Sequence, residues 1–390
     1  MRRFWTDSIQ TSSFCLVRPE VSELKIDPAS ISPSSHRLAA SISPGIYPYL
    51  GGSVGADQLR AVVAACGGAI VSGKQGAKLA ARTPGVLVDP AAYGLSPAVN
   101  SEPLFDYDEW LTRQQAAGVP VILTDTPRIR NGDRSALRKA LERWSNIQQP
   151  TLAALPIEPW WLREGLSWLT EEVREAGRPV AIVLLHRYNG LDPAGTVAGL
   201  VQFISDVEPL PVVLLRSDIS AVGAVAYRAF AGFVGWSANT RHGPLPMRRP
   251  ENEHEDDERD DSPSVFVPAL HDYVKASNLP PLARHRHPDV LRCGDRVCGG
   301  ESLLRIAELS EDDVRAGRLL AGEHNVACTE QIARAVLSAA DPQNAWWETC
   351  NAGAVVSASL AESGINVRLS RWLRQWLDLG SGSRDLRAVP

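Results

Sequence analysis

The run P-V-A-I-V-L-L-H, residues 179–186, decides the fold class of this chain. Its apolar residues follow one another without the alternating polar positions of a half-exposed strand, and a proline and a histidine bound the run. Such a short apolar stretch between turn residues is typical of a strand in the interior of a parallel sheet. The stretch therefore predicts a buried parallel strand, and the question becomes how often the pattern recurs.

Seven further apolar runs of this kind recur, and helical patterns separate many of them. Strands that alternate with helices predict repeated βα units. Eight strands over about 200 residues match a (β/α)8 TIM barrel in count and size. An open doubly wound sheet is the competing architecture. The eight predicted strands cover residues 68–73, 85–90, 120–125, 151–159, 179–186, 211–218, 231–237 and 264–272.

The remaining segments define three predicted regions. Residues 1–60 are rich in Ser, Pro and Gly and predict an irregular leader, and residues 61–284 hold the barrel. An acidic run near 250–262 predicts a solvated loop between the last two strands. Residues 285–390 are mostly helical in pattern and form a predicted metal-binding helical subdomain.

Composition places the chain among ordinary globular proteins. Of its 390 residues, 44% are hydrophobic and 22% are charged, and no window approaches the roughly 18 apolar residues of a membrane span. No signal peptide follows the N-terminal arginines, so the expected location is the cytoplasm. Six scattered cysteines are too few for a disulfide scaffold. The net charge of −5 argues against an indiscriminate nucleic-acid coat.

Polar residues recur where the predicted strands end. The active site of a parallel barrel lies at the C-terminal ends of its strands, so these residues are candidates for catalysis or binding. The alternative is that individual carboxylates cap the helices that follow. The strand-end residues are Asp89, Asp125, Glu158, His186, Asp218, the segment 236–241 and the pair His271 and Asp272.

The stretch R-C-G-D-R-V-C-G-G, residues 292–300, is a candidate metal loop. Zinc in proteins prefers four ligands in a tetrahedron, mainly thiolates and imidazoles. Cys293 and Cys298 flank a glycine-containing turn, His324 is a third candidate ligand and Asp295 a fourth. Cys328 lies one helical turn beyond His324 and is the rival of Asp295. The alternative is two free thiols and a helix-capping histidine. His285 and His287 are also near in sequence.

These residues resemble those of the tRNA-guanine transglycosylases, a family of zinc-containing (β/α)8 barrels. The family motif reads C-x-C-x-x-C, followed by twenty-five residues and a histidine. C-G-D-R-V-C reproduces its first and third cysteines, and His324 stands at the family's interval from Cys298. Residues 315–336, R-A-G-R-L-L-A-G-E-H-N-V-A-C-T-E-Q-I-A-R-A-V, resemble the helix around that histidine. The resemblance implies a structural zinc on Cys293, Asp295, Cys298 and His324, with Asp295 as a harder ligand than the cysteine it replaces.

A second match lies in the predicted barrel. P-V-I-L-T-D, residues 120–125, resembles a family strand whose aspartate manages protons beside the exchanged base, which implies that role for Asp125. The small residues that follow in the family are replaced by residues 126–129, T-P-R-I. Glu158 is the only acid on the strand that reads guanine in the family, and His186 and Asn189 replace its Gln-Gly donors. Guanine recognition is therefore not implied.

The family's nucleophile, a second aspartate that attacks the ribose C1′, has two placements. Matching the strands by order gives Asp272, because the metal loop follows the eighth strand in the family as in this chain. Aligning N-T-R, residues 239–241, with the family's threonine-arginine gives Gly235, and the nucleophile is then absent. Asp218 is a further candidate.

The resemblance implies a pentosyltransferase that exchanges guanine for a 7-deazaguanine-type base in tRNA or DNA through an aspartyl-glycosyl intermediate. An alternative is a catalytically inactive member that acts as a zinc-stabilised nucleic-acid-binding or accessory subunit, in a homodimer or heterodimer formed through the zinc subdomain. A third reading is an unrelated barrel hydrolase. The expected phosphate contacts are Arg128, Arg130, Arg241, Arg248 and Arg249.

Overall fold

Eight parallel strands form a nearly closed barrel in the computed structural model. The model describes residues 33–51, 54–91, 93, 107–143, 147–243, 260–284, 288–365 and 369–385. The strand order is β3-β2-β1-β8-β7-β6-β5-β4, and β3 also lies beside β4. The strands are β1 (Gly45–Leu50), β2 (Ala69–Ser72), β3 (Val86–Asp89), β4 (Ile122–Leu123), β5 (Thr151–Ile157), β6 (Val180–Leu184), β7 (Val212–Ser217) and β8 (Ala231–Gly235). This arrangement confirms a TIM-like α/β barrel rather than an open sheet.

Helices cover the outside of the barrel. Those between the strands are α2 (Ala56–Cys66), α3 (Gly73–Ala80), α4 (Tyr107–Ala116), α5 (Arg134–Glu142), α6 (Leu166–Ala176), α7 (Thr196–Asp206) and α8 (Ser220–Ala226), and α1 (Pro33–Ser41) precedes β1. After the barrel come α9 (Leu279–Arg284), α10 (Leu304–Asp312), α11 (Val314–Leu337), α12 (Pro342–Glu362) and α13 (Arg371–Asp385). None of the helices in the described ranges is long and apolar enough to cross a bilayer.

The barrel uses a different first and last strand from those predicted. Residues 45–50, G-I-Y-P-Y-L, fall inside the predicted leader, yet they form β1 and pair with β2 and β8. Their proline and tyrosines hide the strand from an apolar-run search. The predicted eighth strand, 264–272, is wrong as a barrel strand. It forms β9 (Ser264–Val267), which pairs antiparallel with β10 (Asp272–Lys275) in a separate two-stranded sheet.

The side chains of each strand alternate between two apolar layers. Leu152 and Ala154 of β5 and Val213 and Leu215 of β7 fill the barrel interior, while Leu155 and the other residues of opposite parity face the helices. This is the period of two that a β-strand imposes on its side chains. The parity therefore predicts which residues beyond each strand end face the barrel mouth.

The helices after the barrel belong to the same core as the barrel's outer layer. Helix α11 packs on β9 and α8, α12 also packs on α8, and α13 packs on α7. One buried apolar cluster runs from Leu155 of β5 to Trp346 and Trp376 of α12 and α13. Helices α10 to α13 and the hairpin β9–β10 therefore cap one side of the barrel. Residues 250–259 of the predicted acidic loop lie outside the described residues.

Candidate metal centre and barrel mouth

The predicted metal loop is a compact turn between a 3-10 helix, Pro288–Leu291, and α10. An antiparallel bridge between Arg292 and Ser302 closes the loop. Within it, the Gly300 amide donates to the Cys293 carbonyl at 2.9 Å. Gly300 has a φ of +92°, which residues with a Cβ rarely adopt. The glycines therefore let the chain reverse tightly enough to bring both thiols to one side.

Four of the predicted donors converge on one point. The ligand atoms of Cys293, Asp295, Cys298 and His324 all lie within 4.8 Å of one another, and all four residues are buried. The His324 Nδ1 is 2.7 Å from the Asp295 Oδ2 and 3.2 Å from the Cys298 Sγ. These residues come from the loop and from α11, so their meeting depends on how α11 packs. They form a buried group that could hold a metal ion.

The two carboxylate oxygens of Asp295 have different partners. Oδ1 accepts hydrogen bonds from the backbone amides of Val297 at 2.6 Å and Cys298 at 2.8 Å, which fixes the turn. Oδ2 lies 2.8 Å from the Cys293 Sγ and faces His324. One residue thus shapes the loop and presents an anionic oxygen to the cluster.

Contacts behind His324 orient its ring. Its Nε2 lies 2.7 Å from the carbonyl oxygen of Phe266 in β9, and this geometry makes Nε2 the donor. The Nδ1 lone pair then faces the cluster, as in metal-bound histidines whose other nitrogen is held by a carbonyl. The next residue, Asn325, accepts from the Phe266 amide at 2.7 Å and donates to Trp236 at 2.9 Å. The hairpin, α11 and the end of β8 are therefore tied together at the cluster.

The electrostatics of the group favour a bound cation. Burial works against a charged His324, but the hydrogen bonds to Asp295 and Cys293 outweigh it and raise the pKa of His324 to about 9. The pKa of Cys293 is lowered, first because the Cys298 and Cys328 thiols donate to it. A site that holds a proton this tightly concentrates negative charge, and a metal ion would compete for the same atoms.

Cys328 lies inside the same group. Its Sγ is 3.5 Å from the Cys293 Sγ, 3.3 Å from the Asp295 Oδ2 and 3.6 Å from the His324 Nδ1. Both candidates for the fourth ligand, Asp295 and Cys328, therefore lie at the site. His285 and His287 lie outside the described residues.

The donor spacing fits a tetrahedral ion. With bonds of about 2.0 to 2.3 Å, neighbouring donors of a tetrahedral zinc lie about 3.3 to 3.8 Å apart. The closest donor atoms of the cluster are 2.7 to 3.6 Å apart, so small outward shifts would accommodate an ion. A cavity of ≈ 270 Å³ reaches Cys293 and Cys328 from the side of His271 and Gln331.

The barrel mouth carries acids on three neighbouring strands. Asp89, Asp125 and Glu158 follow β3, β4 and β5 on the parity that faces the interior. Asp125 is only 1% exposed. Asp89 accepts from the hydroxyls of Tyr49 and Tyr93. The structure thus places Asp125 at the mouth, on the side where the other two carboxylates also lie.

The other predicted mouth residues are held by neighbours. Glu158 pairs with Arg128, whose Nε lies 3.1 Å from it. The Asn189 side chain donates to Asp218 just beyond β7. His186 follows β6, and its Nδ1 accepts from the Tyr188 amide at 3.2 Å. Glu158, His186 and Asn189 therefore lie at the C-terminal edge of the barrel.

Asp272 lies in the hairpin after the barrel, and Arg241 follows the end of β8. Asp272 lies in β10 and accepts from the Ser370 hydroxyl and, at 2.7 Å, from the Tyr273 amide. Arg241 is buried, stacks with its guanidinium carbon 3.4 Å from the centre of the Tyr273 ring, and donates to Ser264 at 3.0 Å. These contacts join the end of β8 to the hairpin. Arg248 and Arg249 lie outside the described residues.

Sequence reasoning missed Arg216 and His242. Arg216 lies near the end of β7, and its guanidinium carbon is 5.2 Å from the centre of the Tyr49 ring and 5.7 Å from that of Tyr93. Both tyrosines belong to the interior cluster. The signal in the sequence was Arg216 two positions before a strand-end aspartate, but nothing in the pattern shows which way its side chain turns.

The class of protein defined by fold and site is a TIM-like barrel with a buried Cys, Asp and His group. No protein-family model matches the chain, and no curated protein matches its sequence.

Proposed function

We propose that the protein exchanges guanine for a 7-deazaguanine-type base in a nucleic acid, tRNA or DNA, at the barrel mouth. The observation that carries the proposal is the convergence of Cys293, Asp295, Cys298 and His324 within 4.8 Å, beside an eight-stranded parallel barrel. These are the residues on which the resemblance to tRNA-guanine transglycosylases rests. Zinc is the proposed metal, because buried thiolates and imidazole in a tetrahedral arrangement are the ligands that zinc prefers.

Asp125 is the proposed general acid and base. A carboxylate nucleophile attacks the ribose C1′, the bond from C1′ to the guanine nitrogen breaks, and Asp125 gives its proton to the departing base. The incoming base then loses a proton to Asp125 and attacks C1′, which releases the carboxylate. Asp125 suits this role because it is buried on the inward face beyond β4.

Asp272 and Asp218 are the proposed alternatives for the nucleophile. The pKa of Asp272 is raised to about 6, first by burial and with a smaller contribution from the charge of Asp218, against the hydrogen bond from Ser370. Burial also raises the pKa of Asp218. Two nearby carboxylates that repel one another favour a state in which one is ionised and the other protonated.

An exposed aromatic residue supports contact with a nucleic acid. Tyr188 follows β6 at the mouth, is 60% exposed, and stacks beside Arg187, whose guanidinium carbon is 5.1 Å from the ring centre. Exposed aromatic rings next to arginines stack on unpaired bases and contact phosphates. A flipped nucleotide at the mouth would find such a surface at Tyr188. We further propose a cytoplasmic location and a dimer formed through residues 285–390.

Base exchange is tested by incubating the purified protein with total tRNA or with duplex DNA and labelled guanine or a labelled 7-deazaguanine. Incorporation of label that depends on Asp125 supports the proposal. If the protein binds one of these nucleic acids but incorporates label into none of them, the proposed base-exchange activity is excluded.

A second candidate function is a catalytically inactive nucleic-acid-binding or accessory subunit, and Gly235 favours it. β8 is the last barrel strand and ends at Gly235, where one alignment of the resemblance places the nucleophile. A Cβ atom there would lie 2.3 Å from the carbonyl carbon of Thr240. The backbone thus leaves no space for an aspartate side chain. Binding of tRNA without exchange, unchanged in Asp125→Asn, would support this second function.

A further inference from the structure

Arg216 adopts a backbone conformation that an arginine rarely takes. The register of β7 against β8 shifts between Leu214 and Ser217, and Arg216 within this bulge has a φ of +48°. Bulges re-aim side chains at the rims of barrels and near active sites. Here the bulge turns the guanidinium toward Tyr49 and Tyr93, over the interior of the mouth. Left-handed backbone in a non-glycine residue costs free energy and is more frequent at functional sites than elsewhere.

The guanidinium has an unused donor. One terminal nitrogen of Arg216 donates to the carbonyl of Asn239. Its Nε is buried and has no hydrogen-bond partner among the described residues. A buried donor without a partner is costly, so this N–H is a suitable contact for a ligand that accepts hydrogen bonds.

His242 supplies a second unused atom nearby. Its Nδ1 is buried and has no hydrogen-bond partner within the described ranges. The chain places it by crossing from β8 to β6, where the Gly243 carbonyl accepts from the His186 amide at 3.1 Å and the Gly243 amide donates to Leu184 at 3.1 Å. His242 therefore lies over the C-terminal end of β7 and its neighbour β6.

Two arginines and one carboxylate act on this part of the mouth. The pKa of His242 is lowered to about 4, first by burial and then by the charges of Arg241 and Arg216. The charge of Asp89 acts on Arg216 from the side of the two tyrosines, whose hydroxyls both donate to it, and Asp89 also accepts from the Ala91 amide at 2.8 Å. Asp89 therefore offsets part of the charge of Arg216, and the neutral His242 can donate to an anion without adding charge.

We propose that Arg216 and His242 bind a phosphate group of the ligand at the β7–β8 side of the barrel mouth. A guanidinium offers paired donors that match phosphate oxygens, and the neutral imidazole of His242 donates one further hydrogen bond. Loops after the seventh and eighth strands are a common place for phosphate in this architecture. The acids beyond β3 to β5 then face the rest of the ligand. This phosphate site needs no base-exchange chemistry and is independent of the proposed function.

The experiment compares phosphate esters with their phosphate-free counterparts. Calorimetry measures binding of inorganic phosphate, adenosine 5′-monophosphate, adenosine and a short single-stranded oligonucleotide to the full chain. We expect the monophosphate to bind and adenosine not to, with inorganic phosphate as competitor. If only the oligonucleotide binds, and the Arg216 variants described below lose that binding, the site takes the backbone phosphate of a nucleic acid rather than a free nucleotide.

Arg216→Gln and Arg216→Gly are the test variants, and we expect each to bind the phosphate probe about ten- to hundredfold more weakly. Glycine also relieves the left-handed backbone, so Arg216→Gly separates lost binding from lost folding. The matched control is Arg228→Gln, because Arg228 also has a positive φ, +74°, but precedes β8 at the other end of the barrel and is exposed.

Equal affinity of the wild type and both Arg216 variants for every phosphate probe would overturn the proposal, as would a wild type that binds none of them. Loss of base exchange with phosphate binding intact would remove only the proposed function. His242→Gln, which cannot take a charge, is expected to weaken binding less than Arg216→Gln does.

Discussion

The Nδ1 of His324 lies 2.7 Å from the Oδ2 of Asp295, and both side chains are almost fully buried. The two residues are 29 positions apart, one in a glycine-rich turn and the other on α11. A carboxylate oxygen so placed, with two thiols beside it, makes Asp295 one candidate for the fourth donor, and the adjacent Cys328 is the other.

Asp295→Asn is expected to lower the zinc content of the purified protein, whereas Cys328→Ser is expected to keep about one zinc per chain. Asparagine retains an acceptor for the turn but loses the anionic ligand. Elemental analysis by mass spectrometry measures the ratio. Cys350→Ser is the control, since Cys350 is a buried thiol of α12 outside the cluster. The reverse pattern would assign the fourth position to Cys328.

Chelation of the metal is expected to loosen β9 and α11 before the barrel. His324 contacts the Phe266 carbonyl, and Asn325 binds the Phe266 amide, so the cluster and the hairpin share their support. Hydrogen exchange with and without a chelator measures this. Amides of residues 264–267 should exchange faster after chelation, and those of Val180–Leu184 in β6 should not. Equal protection in both states would show that the ion does not stabilise this region.

Asp125→Asn is expected to lower base exchange by about 10² to 10⁴-fold and to leave nucleic-acid binding unchanged, because the amide cannot transfer the proton. Incorporation of labelled base and a binding isotherm on the same sample separate the two effects. Asp57→Asn on α2 is the control, because Asp57 is almost fully exposed. A wild type and an Asp125 variant with equal exchange rates would exclude Asp125 from the chemistry.

Asp272 is expected to make the protein less stable as pH rises. Its folded-state pKa, about 6, lies above the ordinary 3.8, so the unfolded chain releases this proton first. The free energy of unfolding therefore falls between pH 4 and 6, by at most about 3 kcal/mol, since the partly exposed carboxyl is screened by solvent.

Asp272→Asn should remove that slope while leaving the protein folded, and urea unfolding at pH 4.5 and pH 7.5 measures the difference. Ser370→Ala is a companion variant, because it removes a hydrogen bond that lowers the pKa of Asp272. It should raise the pKa and steepen the slope. A wild type and an Asp272→Asn variant with the same pH dependence would contradict the assignment.

Gly235→Ala is expected to destabilise the fold by about 3 kcal/mol or to prevent folding, because the added methyl meets backbone atoms of Thr240 that cannot move aside. Gly55→Ala is the matched control, since no heavy atom lies within 4 Å of its added Cβ. That control should cost less than about 1 kcal/mol. Chemical denaturation measures both, and equal losses would show that the end of β8 can accept a side chain.

Much of the barrel was predictable because each buried parallel strand corresponds to a short apolar run in the sequence. Seven of the eight predicted runs supply barrel strands, and P-V-A-I-V-L-L-H contains β6. The first strand was missed because Pro48 and two tyrosines break its apolar pattern. The S-V-F-V run was misplaced because an apolar strand of a hairpin and one of a barrel look alike until their partners are known.

The sequence by itself indicated the barrel class and the four donors of the buried group, since strand periodicity and the spacing of Cys, Asp and His can be read along the chain. Only the tertiary structure decided that Cys328 joins that cluster, that Asp272 belongs to a hairpin outside the strand ends, and that a bulge turns Arg216 into the mouth. These outcomes depend on pairing and packing between segments far apart in the chain, and no local pattern records such partners.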